Sequence, residues 1–94
     1  MYRNAKLLAA AAGQMCVVCG SMSGVTSAHC NEGIYRGMGL KSHDCLVAWL
    51  CQDCHDLVDG RYGHLTLEEK RELWRTAFLR TVVRLFEQGI VEVV

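Results

Sequence analysis

Two Cys-x-x-Cys pairs, Cys16 with Cys19 and Cys51 with Cys54, lie with 31 residues between them in a chain of 94. Each pair can aim both sulfurs into one turn, and together they supply four soft thiolates able to close tetrahedrally on a single zinc ion. A closed four-thiolate site has no open position for water, so such a zinc would be structural and any chemistry would lie elsewhere. The stretch between the pairs is long, but a hairpin there would bring its two ends together. Rival readings are a redox dithiol, which ordinarily uses one pair in a different strand and helix context, and plain buried cysteines. Cys30 and Cys45 lack the spacing and are expected to fill core positions on two strands.

His55 follows Cys54 directly and Asp59 comes four residues later. On a helix the two project from one face a turn apart, an arrangement that suits a divalent cation. His29 sits in the run Ser27, Ala28, His29, Cys30. Each histidine also has a plainer reading, His55 as a hydrogen-bond partner of a thiolate and His29 as a satisfied core residue.

The elements that would carry these residues can be read from pattern and punctuation. Asn4 as N-cap and Gly13 as stop predict a short helix around Leu7 to Ala12. Val25 to Cys30 is short and partly β-branched, and Cys45 to Leu50 is almost wholly apolar, so both read as strands. The glycines Gly33, Gly37 and Gly39 make Asn31 to Ser42 a loop. The second strand runs straight into Cys51 to Asp59, a short helix that Gly60 ends. Thr66 and Glu69 form a capping-box signature, after which Leu67, Leu73, Trp74, Ala77, Phe78, Thr81, Val82, Leu85 and Phe86 recur at helical spacing until Gly89. The mixed charges of the opposite face (Glu68, Arg71, Glu72, Arg75, Arg80, Arg84, Glu87) suit a packing brace or the face of a homodimer. Ile90 to Val94 either add a short strand or pack down. The fold class expected is α+β, one domain over 1–94: an N-terminal helix in 1–13, the cysteine knuckles with a hairpin and helix in 15–60, and a long helix in 66–88.

The chain has no proline, ten basic and ten acidic residues, six cysteines and four histidines. So short a chain buries a modest fraction of its surface and needs something metallic, covalent or oligomeric besides its core. A structural zinc can contribute on the order of 10 kcal/mol. Arg3, Lys6, Leu7, Leu8 and the alanines after them imitate an export signal. The apolar stretch is nevertheless short, and cleavage near Ala12 would leave almost no linker before Cys16. No apolar run approaches a membrane span. A reducing cytoplasm follows as the expected compartment, where clustered cysteines favour metal over disulfides.

A strand ending in Ala28-His29, a glycine-containing loop, an apolar strand and then Leu50-Cys51-x-x-Cys54-His55 opening a helix resembles the HNH, or His-Me finger (ββα-metal), endonuclease family. The resemblance covers Cys16 to about Asp59. A narrower similarity, reaching more weakly over most of the chain, is to small prophage-encoded proteins of the YbcO type, described as nucleases. Gly37, Gly39, Lys41 and Asp44 resemble their Gly-x-Gly-x-Lys-x-x-Asp element, and Cys51 to Asp59 their Cys-x-x-Cys-His-Asp-x-x-Asp helix. The resemblance implies a metal-dependent hydrolase cutting DNA phosphodiesters in phage recombination or replication, within a bacterial cytoplasm. It implies His29 as general base, a task that a near-neutral pKa suits. His55 is implied as ligand of a catalytic divalent cation, with Asp59 as second ligand and magnesium or manganese favoured by cellular supply. Two positions depart from the family pattern. Ala28 stands where many members carry a metal ligand, and the middle Asn of the family name falls on Leu46. Asp44 is the expected substitute, as ligand or as loop tether, and His43 could be drawn in. His64 is expected at the surface. The alternative is a non-catalytic zinc-stabilised module that binds nucleic acid or a protein.

Net zero charge does not describe a strong indiscriminate binder of phosphate backbones. The charge is unevenly spread: residues 1–43 hold Arg3, Lys6, Arg36 and Lys41 against Glu32, whereas 44–94 hold nine acidic and six basic groups. Arg36 and Lys41 on the hairpin loop and Arg61 after the short helix are the expected phosphate contacts.

Overall fold

A computed structural model describes residues 1–32, 41–60 and 63–94. Arg36, Arg61 and the Gly37 to Leu40 part of the loop motif lie outside the described residues. The elements run α1 (Ala5–Ala9), β1 (Thr26–His29), β2 (Val47–Leu50), α2 (Gln52–Asp59) and α3 (Leu67–Glu87). This is the α+β order expected, a two-stranded antiparallel hairpin followed at once by a helix.

Local signals set the element ends. The Asn4 side chain accepts from Leu7 N–H at 3.0 Å and opens α1. The helix ends at Ala9 rather than running to Gly13, because the N–H groups of Ala10, Ala11 and Ala12 bond to carbonyls three residues back and tighten the chain into turns. Those turns carry Ala11 into the core, and Gly13 leaves them at φ +81°. Gly60 closes α2 in the left-handed conformation at φ +79°, and a complete capping box of Thr66 and Glu69 opens α3.

β2 is the centre of the molecule, with all four of its residues buried. It pairs with β1 in the register Thr26 with Leu50, Ser27 with Trp49, Ala28 with Ala48 and His29 with Val47. On its other edge Trp49 N–H donates to the Thr81 hydroxyl at 3.0 Å, and Val17 N–H donates to the Trp49 carbonyl at 3.1 Å. One bond docks α3 and the other docks the first cysteine knuckle, so the free edge of the hairpin is covered. α3 buries Trp74, Ala77, Thr81 and Leu85 against the hairpin, and the Trp74 indole N–H donates to the Ala28 carbonyl at 2.9 Å.

Three expectations about burial are corrected. Cys45 is exposed. Strand geometry begins only at Val47, and Cys45 sits on a turn closed by Leu46 N–H to the His43 carbonyl. Leu67, the first residue of α3, is 62% exposed, and Phe86 is 52% exposed because it points one step away from the buried Leu85. Cys30 is buried as expected. Residues 90–94 form no strand, and Val91 packs against the core. No helix among the described residues is long and apolar enough to cross a membrane.

Candidate functional site

The four cysteines of the two knuckles converge. Their sulfurs all lie within 4.8 Å of one another, with Cys19 Sγ 3.5 Å from Cys51 Sγ. A zinc with bonds of about 2.3 Å needs sulfurs roughly 3.8 Å apart, so the donor set fits that ion in number, chemistry and spread. All six cysteines are free thiols. The first knuckle is a tight turn in which Cys16 N–H donates to Ser21 and Gly20 N–H to Cys16, with Gly20 at φ +81°. The second is the start of α2, where Cys51 is the N-cap and Cys54 lies in the first turn, at the positive end of the helix dipole.

The protonation pattern agrees with a cation-binding cluster. Burial pushes the Cys16 thiol up, but the N–H groups of Cys19, Cys51 and Val18 outweigh it and bring it down to about 6. Burial pushes Cys54 up, and the neighbouring sulfurs push it further. The Cys16 sulfur is thus readily ionised, whereas Cys51 and Cys54 resist joining it until a positive charge arrives.

A second group forms away from the sulfurs. Alternation along β1 and its extension turns Ser27, His29 and Asn31 to one side, and these three line an open cavity of about 200 Å³ together with Lys41, His55 and Asp59. His55 Nε2 is 3.3 Å from Asp59 Oδ2, one helical turn on. The other Asp59 oxygen accepts from the Asn31 amide at 3.0 Å, and the Thr26 hydroxyl lies 3.4 Å from His55 Nδ1. Thr26 at the start of β1 and Asn31 just past its end therefore brace both α2 side chains.

Asp44 does not line this cavity; it stands behind His29. Its Oδ1 is 2.9 Å from His29 Nε2 and accepts from Arg3 Nη1 at 2.9 Å, while Oδ2 accepts from Asn4 N–H at 2.7 Å. Arg3 also donates to the carbonyls of Ser42 and Lys41, at 2.6 and 2.8 Å. The hydrogen bond to His29, with those from Asn4 and Arg3, outweighs burial and lowers the Asp44 carboxyl to about 2. An ionised Asp44 takes the proton-bearing Nε2 of His29 as its partner, which leaves the lone pair on Nδ1.

Ala28 is buried against Ala48 on the opposite side of the strand from His29, and its carbonyl receives the Trp74 indole. Leu46 is partly buried, with its carbonyl bonded to Cys30 N–H. His43 accepts from Tyr2 N–H through Nδ1 and is not part of the cavity, and His64 is exposed. Among the described residues, the four cysteines alone form a group of three or more potential metal ligands within mutual reach. His55 and Asp59 are a pair, with His29 across the cavity. Sequence reasoning missed Arg3, Asn4, Thr26 and Asn31. Strand alternation from His29 could have found Asn31, whereas nothing local ties Arg3 to Asp44.

The family model described as "Putative nuclease YbcO" matches residues 5–90. The chain belongs to this nuclease family, which implies a hydrolase with a nucleic-acid substrate. Comparison with the curated proteins and with the solved structures gave no match.

Proposed function

We propose that this chain is a metal-dependent endonuclease of the HNH, or His-Me finger, type that hydrolyses DNA phosphodiester bonds, in phage recombination or replication. The observation that carries the reading is the cavity in which His29, backed by Asp44, faces His55 and Asp59 beside Lys41. A water in that cavity would lose its proton to Nδ1 of His29 as it attacks phosphorus. The Asp44 carboxylate holds the ring in the required tautomer and stabilises the imidazolium that results. His55 and Asp59 would hold a divalent cation, magnesium or manganese, whose charge when bound offsets that building on the phosphate and the departing 3′ oxygen. Lys41 is suited to grip a phosphate next to the scissile one. Zinc in the four-cysteine cluster would act on folding alone, fixing β2 and α2 against the first knuckle.

The experiment is nicking of supercoiled plasmid by the purified protein with magnesium or manganese. Nicking that His29→Ala lowers by about 10²- to 10⁴-fold is expected of a lost general base. Absence of nicking with every metal, or unchanged nicking in His29→Ala, would sink the assignment. DNA binding without cleavage would favour a binding module.

A further inference from the structure

The outward face of α3 is apolar over its C-terminal half. Leu79, Val83 and Phe86 follow one another at steps of four and three within the helix, so they form one stripe. They are 64, 56 and 52% exposed. The core side of the same helix is already filled by Trp74, Ala77, Thr81 and Leu85, and the stripe has no role in holding the hairpin. Single exposed apolar residues need no explanation, but a contiguous row does.

The flanking charges say what covers it. Arg80 and Glu87 are exposed, lie two turns apart on one side of the stripe and bracket Val83. Neither has an ion-pair partner among the described residues. Arg80 gives one N–H, on Nη1, to the Val17 carbonyl at 3.0 Å, and its other four donors remain. Further toward the N-terminus the first turn of α3 is acidic, with Glu68 and Glu69, and Arg75 lies 3.5 Å from Glu68 and 3.9 Å from Glu72.

When two identical helices cross antiparallel, each flank meets its own copy and the two-fold axis passes through the crossing residue. With Val83 at the crossing, Val83 meets Val83, Leu79 meets Phe86, and Arg80 meets Glu87 on both sides of the axis. The acidic first turns then point away from each other. A parallel pair would set those acidic turns side by side and leave Arg80 and Glu87 opposite the Phe86 flank. The stripe is thus self-complementary in shape and charge for one orientation.

We propose that α3 forms a two-fold antiparallel homodimer through Leu79, Val83 and Phe86, with its register set by reciprocal Arg80–Glu87 pairs. Sedimentation equilibrium of the intact protein from micromolar to millimolar concentration tests it. A dimer is expected, together with a monomer for Val83→Glu whose circular dichroism is unchanged. Arg80→Glu and Glu87→Arg should each weaken dimerisation about five- to tenfold, and the double exchange should restore it. Glu87→Arg carries the single-variant arm independently, since it leaves the Arg80 bond to Val17 intact. A protein that stays monomeric throughout, or a dimer that Val83→Glu leaves whole, would overturn the interface. Failure of the double exchange to restore a dimer weakened by both single variants would overturn the antiparallel register.

Discussion

Asp44 Oδ1 lies 2.9 Å from His29 Nε2, across fifteen positions of sequence that include the hairpin loop. The carboxylate is buried, and its remaining capacity is taken by Arg3 and by the Asn4 N–H. So placed it can neither reach substrate nor relax toward solvent, and its consequence for the site is the tautomer and orientation of the imidazole.

Asp44→Asn should therefore lower the rate of plasmid nicking at saturating DNA by about 100-fold, with the DNA concentration for half-maximal rate unchanged. The asparagine keeps the shape but not the charge that stabilises an imidazolium. Arg3→Ala should act in the same direction more weakly, and Arg3→Lys should recover part of the loss. Single-turnover nicking kinetics measure both, and an unchanged rate in Asp44→Asn would remove the dyad from the mechanism.

The same carboxylate makes stability depend on acid. Its folded value of about 2 lies below the ordinary 3.8, so between those values the unfolded chain binds more protons than the folded one. The stabilisation is complete above the ordinary value and disappears as pH falls through about 2. Urea unfolding at falling pH should show a loss of about 1 to 2 kcal/mol across that window, absent in Asp44→Asn.

Asn31 holds one oxygen of Asp59 and leaves the other beside His55. Partners of this kind commonly change metal affinity 10- to 100-fold when removed. Asn31→Ala should raise the magnesium or manganese concentration giving half-maximal nicking by about tenfold, with the rate at saturating metal within a few-fold of the parent. A metal titration of nicking checks this. A fall in the saturating rate with no change in the midpoint would place Asn31 elsewhere in the reaction.

The element order and the four-sulfur cluster were legible because their signals are local. Asn4, Thr66 with Glu69, Gly60 and the paired cysteines each act within a turn of chain. Cys45 was misjudged because an apolar run does not reveal where pairing begins, and the turn from His43 to Leu46 takes up its first residues. Phe86 was misjudged because helical spacing marks a broad arc and cannot say which edge of it meets the sheet. The support of His29 was the least legible part: Arg3 and Asp44 are 41 positions apart, and their meeting depends on the whole hairpin closing. Thr26 and Asn31 were visible only as neighbours of a histidine.

Thr81 offers a test of how β2 is held. Its buried hydroxyl accepts from Trp49 N–H at 3.0 Å and donates to the Ala77 carbonyl at 2.9 Å. Thr81→Val keeps the shape and leaves a buried strand N–H without a partner, which costs about 1 to 3 kcal/mol. Thr81→Ser keeps the hydroxyl and should cost less. Thermal and urea denaturation of the two variants decide the matter, and equal stabilities would mean that packing alone docks α3.

The cysteines divide by environment, and a metal count separates them. Cys16, Cys19, Cys51 and Cys54 share one cluster, whereas Cys45 is exposed on a turn and Cys30 is buried beside Glu32, outside the cluster. The folded protein should carry one zinc per chain, and Cys45→Ser should keep both the zinc and the stability, within about 0.5 kcal/mol. Cys51→Ser should lose zinc and folding together, because it removes one of the four sulfurs at the position that joins β2 to α2. A strong chelator should do to the parent what Cys51→Ser does to the variant, and added zinc should reverse only the chelator's effect. Elemental analysis beside circular dichroism reads all three. A folded, zinc-free parent would show that the four sulfurs are held together by packing and that the knuckles owe nothing to the metal.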